Sequence, residues 1–124
     1  MTRILVIEDE APLRTNIARL LKAEGFEVLE ADNGKTGVDM ACRDLPSLII
    51  CDITMPELDG FGTLFTLREN VTTSRIPFIF LTASTKTYDR KWGLELGASD
   101  YITKPFSLND LLAAVKKRLG GAAG

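Results

Sequence analysis

One rhythm runs through this chain five times: a short apolar run, then an amphipathic stretch with helical spacing. Residues 4–7, 27–31, 48–51, 78–81 and 101–102 read as strands, and the stretches 11–24, 34–44, 60–70, 86–96 and 107–119 as helices. In the first helix Leu13, Ile17, Leu20 and Leu21 keep one face apolar, and Gly25 stops it. In the last, Ser107 or Asn109 can cap the start, while Leu108, Leu111, Leu112, Val115 and Leu119 form the inner stripe. Strands and helices alternating at this size predict a parallel sheet covered on both faces, an α/β domain. At 124 residues, the chain suits one domain with one core.

Composition then removes several classes of function. No apolar run approaches the length that spans a bilayer, and no basic-then-apolar leader precedes the first strand. A formal net charge of -2 gives no general attraction to nucleic acid or anionic lipid, so neither is expected as a direct partner. Cys42 on a helix and Cys51 in an apolar strand read as free thiols, which fits a reducing cytoplasm. There is no histidine, which removes the usual general base and the usual zinc ligand.

The chemistry collects at strand ends. Glu8, Asp9 and Glu10 follow the first strand, Asp52 the third, Thr82 the fourth, and Lys104-Pro105-Phe106 the fifth. In a parallel sheet these all fall on the carboxyl edge, where open α/β sheets bind their ligands. Three converging carboxylates repel one another unless a cation or a proton neutralises them. An oxygen-loving divalent ion such as Mg²⁺ is the natural partner. A hydroxyl from Thr82 and an ammonium from Lys104 could hold the remaining oxygens of a tetrahedral anion. Together these groups describe phosphoryl transfer onto an aspartate. Taken singly, each has a plainer reading: Asp9 or Glu10 as a helix cap, Lys104 as an ion-pair partner for Asp52, Thr82 as a helix-start hydroxyl, Tyr101 as a strand residue with a wet hydroxyl. Those readings leave unexplained why all the groups share one edge.

The segments Val6-Ile7-Glu8-Asp9-Glu10, Asp52-Ile53-Thr54-Met55-Pro56 with Asp59-Gly60, Leu81-Thr82-Ala83, and Gly97-Ala98-Ser99-Asp100-Tyr101 leading into Lys104-Pro105-Phe106 occur in that order. In that order and at those strand ends, the chain resembles the receiver domain of two-component response regulators, through about Leu119. The resemblance implies a flavodoxin-like, doubly wound sheet of order 2-1-3-4-5 with two helices on one face and three on the other. Residues 1–119 would be the receiver, and 120–124 a flexible tail or linker remnant. Asp52 would be the phosphoacceptor, supplied by a sensor histidine kinase or a histidine phosphotransfer protein. Asp9 and Asp52 would ligate Mg²⁺ (or Mn²⁺) directly, Glu8 through water, and Thr54 through its backbone carbonyl. Thr82 and Lys104 would bind phosphoryl oxygens, with a cis peptide before Pro105 holding the lysine inward. Tyr101 would be the aromatic switch residue. The fourth helix, fifth strand and fifth helix, with Lys86, Arg90, Lys91 and Tyr101, would then be read by a downstream effector or a fused output domain. Only self-phosphorylation and self-dephosphorylation are expected of it, and no other turnover.

Single positions refine this expectation. Thr54 and Ser84 flank the phosphoryl site in the family, and both are small and neutral, so an intermediate phosphoryl lifetime is expected. Ala114 stands where winged-helix regulators of the family place an arginine used in dimerisation, which argues against their form of activated dimer. Trp92, with Tyr88 and Leu96 on the same helical face, is expected in the core, with a partner-binding patch as the alternative. A flavin carrier of the same fold would need a Ser/Thr/Gly-rich phosphate cradle where Glu8-Asp9-Glu10 stands. A Mg²⁺-dependent aspartyl phosphohydrolase would need an acid where Thr54 stands. A receiver module belonging to a longer transcription regulator or hybrid kinase remains an alternative of scope.

Overall fold

The computed structural model describes residues 2–83 and 87–120, with 87–89 as backbone alone. Five strands alternate with five helices: β1 (Arg3–Ile7), α1 (Ala11–Ala23), β2 (Glu27–Ala31), α2 (Gly34–Asp44), β3 (Leu48–Asp52), α3 (Gly60–Glu69), β4 (Phe78–Thr82), α4 (Thr87–Glu95), β5 (Asp100–Thr103) and α5 (Leu108–Arg118). The strands form one parallel sheet in the order β2-β1-β3-β4-β5. That is the expected flavodoxin-like topology, with element ends shifted by at most one residue.

Strand alternation sorts the apolar side chains onto two faces. Ile4, Val6, Leu48, Ile50, Ile79 and Leu81 pack with Ile17 and Leu21 of α1 and with Leu111 and Val115 of α5. Leu5, Ile7, Ile49, Cys51, Phe78, Phe80 and Tyr101 pack with Ala41 of α2 and with Leu64 and Leu67 of α3. The central strands β3 and β4 are buried along their whole length. Near-continuous apolar runs are what a sheet covered on both faces requires.

Local chemistry fixes the helix starts. Asn33, Asp59 and Ser107 each accept a bond from the backbone amide three residues on, capping α2, α3 and α5. Ser107 therefore takes the capping role that Asn109 could also have filled. Glu10 occupies the capping position of α1 but its side chain caps nothing, with Pro12 in the first turn instead. The acids after β1 are thus not spent on capping. Some expectations need correction or lie out of reach. Trp92 is half exposed instead of buried, while Leu96 packs against the core. Ser84, Lys86, residues 121–124 and the Tyr88 side chain lie outside the described residues.

At the opposite edge of the sheet, Arg68 of α3 reaches across the α4–β5 turn. Its Nη2 donates to Gly97 O at 2.9 Å and its Nη1 to Thr73 O at 3.4 Å. Gly97 sits at φ +103° close against that guanidinium, a backbone conformation that favours glycine.

Two glycines are placed by close approach. A Cβ at Gly60 would lie 2.5 Å from Asp52 O and 2.7 Å from Ile53 Cα, both backbone atoms. A Cβ at Gly37 would lie 2.5 Å from Ile7 Cδ1 and 2.8 Å from its Cγ1, side-chain atoms that give more readily than backbone. Gly60→Ala should therefore cost more stability than Gly37→Ala, at or above the upper end of the roughly 1–3 kcal/mol typical of overpacking. Urea denaturation midpoints of the two variants check this order.

Candidate phosphoacceptor site

Register decides which groups meet. Ile7 pairs with Cys51, so Glu8 stands level with Asp52, the last residue of β3. Asp52 pairs with Leu81, and Thr82 with Thr103, so Thr82 and Lys104 each sit one step further along the same edge. Backbone bonds continue the ladder past the strand ends: Glu8 N to Ala31 O at 3.0 Å, Ile53 N to Leu81 O at 3.0 Å, and Lys104 N to Thr82 O at 2.6 Å. The four strand-end groups predicted from sequence are thereby brought to one place.

Carboxylate oxygens of Glu8, Asp9 and Asp52 all lie within 4.8 Å of one another. Glu8 and Asp52 are buried, whereas Asp9 is exposed. Lys104 Nζ lies 3.3 Å from Asp52 Oδ2 and 3.6 Å from Glu8 Oε1, and the Lys104–Pro105 peptide is cis. Neither Glu8 oxygen has a hydrogen-bond donor among the described residues. Burial, and then the Asp52 charge, push the Glu8 carboxyl up to about 8, while Lys104 pulls it partly back. Three carboxylates facing one ammonium leave an excess of two negative charges when all are ionised. Hard oxygen donors, an orphaned buried carboxylate and that charge excess fit a divalent cation such as Mg²⁺.

The remaining predicted residues take different positions. Thr82 is buried at the end of β4, on the same face as Phe80 by strand alternation. Thr54 is exposed two residues past Asp52, in the connection that returns to α3. Tyr101 is buried rather than wet: its ring meets Phe80 edge-on at 6.3 Å, and its hydroxyl has no partner among the described residues. Arg90 of α4 covers that ring, its Cζ 5.8 Å from the centroid. Cys42 and Cys51 are both free thiols, as expected. Burial pushes the Cys51 thiol well up, so it offers no competing nucleophile beside Asp52.

Reasoning from sequence missed Arg14. Its Nη1 donates to Glu8 O at 2.7 Å, and its Nε lies 3.5 Å from Glu30 Oε1 of β2. A partial signal was available, since Arg14 falls one helical turn beyond Glu10 and so returns toward the acid loop.

The family model for the response regulator receiver domain matches residues 4–116. The chain belongs to that family. The receiver is 36% identical over 121 residues to Protein PilH of Pseudomonas aeruginosa, covering 98% of this chain and 100% of PilH. It is 41% identical over 116 residues to Histidine kinase P4 of Formosa agariphila, covering 94% of this chain but 8% of the kinase. The chain spans about half the length of the transcriptional regulators that it matches. Among solved structures, the receiver domain of the Francisella response regulator 1452 superposes with a TM-score of 0.91 at 29% identity, covering 98% of this chain and 99% of that one. The receiver is thus a signalling module with an acidic pocket at its carboxyl edge. No helix among its described residues is long and apolar enough to cross a membrane.

The buried Glu8 makes stability depend on pH. Its folded-state pKa is raised from 4.5 to about 8, so the folded state favours the proton. Below about 4.5 both folded and unfolded states hold that proton, and the burial cost of the charge is absent; above about 8 both have lost it, and the cost is full. In chelator, the melting temperature of the parent should therefore fall, relative to Glu8→Gln, as pH rises through that window. Parallel melting curves of the two proteins between those pH values measure the difference.

Proposed function

We propose that Asp52 is the phosphoacceptor of a two-component phosphorelay, taking its phosphoryl group from a phosphohistidine on a sensor histidine kinase or histidine phosphotransfer protein. The observation that carries this reading is the Asp52 carboxylate, buried at the sheet edge with the Lys104 ammonium 3.3 Å away and two further acids converging on it. In the transfer, an Asp52 oxygen attacks phosphorus while the bond from phosphorus to the donor imidazole breaks, and its electron pair leaves with the imidazole. An acyl phosphate results, which water later hydrolyses back to the carboxylate. Lys104 can follow the charge as it moves from carboxylate to phosphoryl oxygen. Thr82 would donate its hydroxyl to another phosphoryl oxygen.

Glu8, Asp9, Asp52 and the Thr54 backbone carbonyl would hold Mg²⁺ or Mn²⁺ here. Bound there, the ion supplies positive charge that offsets the oxygens of the transferring group. The phosphohydrolase alternative lacks its second acid, since an exposed threonine stands two residues after Asp52. A phosphohistidine donor and free thiols both suit the cytoplasm as the working compartment. An open groove of about 320 Å³, lined by Leu13, Asn16, Lys104, Pro105, Phe106 and Leu108, borders the site and offers a donor protein an apolar surface beside Asp52.

Signalling follows from where Thr82 lies. Its side chain shares a face with Phe80, which pairs with Tyr101 on the next strand. A hydroxyl drawn toward the phosphoryl group vacates space on that face, and Tyr101 can respond. Arg90 and Lys91 lie on the adjoining helix. A shift there would be read by an effector protein or a fused output domain.

Incubation with acetyl phosphate and Mg²⁺ should add one phosphoryl group by intact mass, and Asp52→Asn should abolish the addition. Modification that survives that substitution refutes the assignment. Thr82→Ala should still accept the group yet lose most of the response at Tyr101, because a methyl cannot bond the phosphoryl oxygen. Amide shifts of residues 90–104 with and without beryllofluoride test this; a full parental pattern in Thr82→Ala would sink the switch.

A further inference from the structure

Glu8 and Asp9 are neighbours in sequence, and neighbours on a straight strand point to opposite faces. Their carboxylate oxygens nevertheless converge with those of Asp52. β1 ends at Ile7 and the chain bends at Asp9, so the peptide group joining Glu8 to Asp9 leads into that bend. The carbonyl of that group is the Glu8 O that accepts from Arg14 Nη1 at 2.7 Å. On its other side Glu8 N donates to Ala31 O at 3.0 Å. Arg14 is itself fixed, its Nε 3.5 Å from Glu30 Oε1 on the edge strand, with the two side chains 19% and 35% exposed.

We infer that Arg14 is a positioning residue for the metal ligands, with Glu30 as its anchor: together they set the peptide plane from which the Glu8 and Asp9 carboxylates hang. The inference rests on the metal site proposed above and names residues that hold the ligands without touching the ion. It differs in sign from a simple charge effect. A guanidinium near an acidic cluster repels a cation, so on charge alone its removal tightens metal binding. Positioning predicts weaker binding, because the loop must then be ordered by the ion itself. Groups that orient metal ligands typically matter by about 10–100-fold in affinity.

The test is a MgCl₂ titration of the unphosphorylated protein, followed by amide shifts at a temperature where every variant is fully folded. The parent must bind; if it does not, the metal site itself falls, and that failure is separate from any failure of Arg14. Arg14→Gln is expected to weaken Mg²⁺ about 10-fold, the low end of that range. Arg14→Lys should rescue little, since an ammonium lacks the rigid fork that spans carbonyl and carboxylate. Glu30→Gln should weaken binding by less, and adding it to Arg14→Gln should change nothing more, because Glu30 acts through Arg14. Affinity that is unchanged or tighter in Arg14→Gln overturns the inference, whatever happens to its melting temperature. Additive losses in the double variant overturn the anchor role. Glu30→Gln changes one half-buried side chain at an edge strand, so it keeps the inference testable should Arg14→Gln fold poorly; parental affinity there removes the anchor.

Discussion

A buried carboxylate with no donor, set beside a second buried carboxylate, is a cost that a fold must offset. Glu8 and Asp52 are that pair, and much of the carboxyl edge is arranged around them. Lys104 comes in from the far side of the sheet to within ion-pair distance of both. It can do so because Thr103, the last residue of β5, pairs with Thr82, so that Lys104 follows one step beyond the strand end. The domain thus holds electrostatic repulsion at its carboxyl edge, which added positive charge would relieve. Under the function proposed above, proton, metal and phosphoryl group would all act on the same small set of oxygens.

The other side of the arrangement is steric. The connection after β3 leaves the strand at Asp52 and must return at once to start α3. It does so by passing Gly60 directly over the backbone of Asp52 and Ile53, with Gly60 N donating to Ile53 O at 2.7 Å and Asp59 capping the helix. Asp59 and Gly60 belong to the sequence pattern for this reason: one satisfies the helix start, the other leaves room for the strand that carries Asp52. The position of Asp52 is therefore fixed by backbone contacts as well as by charge.

How much of this was legible beforehand differs by the range of the interaction. The five strands and helices were plain because alternation and helical spacing are local signals, and the parallel sheet followed from their order. Convergence of Glu8, Asp9, Asp52, Thr82 and Lys104 was legible because parallel strands all deliver their ends to one edge. Trp92 misled because its neighbours at helical spacing suggest an inner face, and only packing against a specific sheet decides which face turns inward. For Tyr101 the plain reading of a wet hydroxyl gives way to the aromatic contact with Phe80 and the cover of Arg90. Arg14 was missed because its two partners, a backbone carbonyl and an edge-strand glutamate, are joined only by the tertiary fold.

The clamp at the opposite edge bears on how a signal would travel. Arg68 ties the turn that follows α4 to the end of α3 through Gly97 O and Thr73 O. The carboxyl end of α4 is thus tied down, while its amino end follows the carboxyl edge of the sheet. Under the switch proposed above, a displacement begun beside Thr82 would swing α4 about that tie instead of sliding it along the sheet. The helix would then act as a lever with its fulcrum at Gly97.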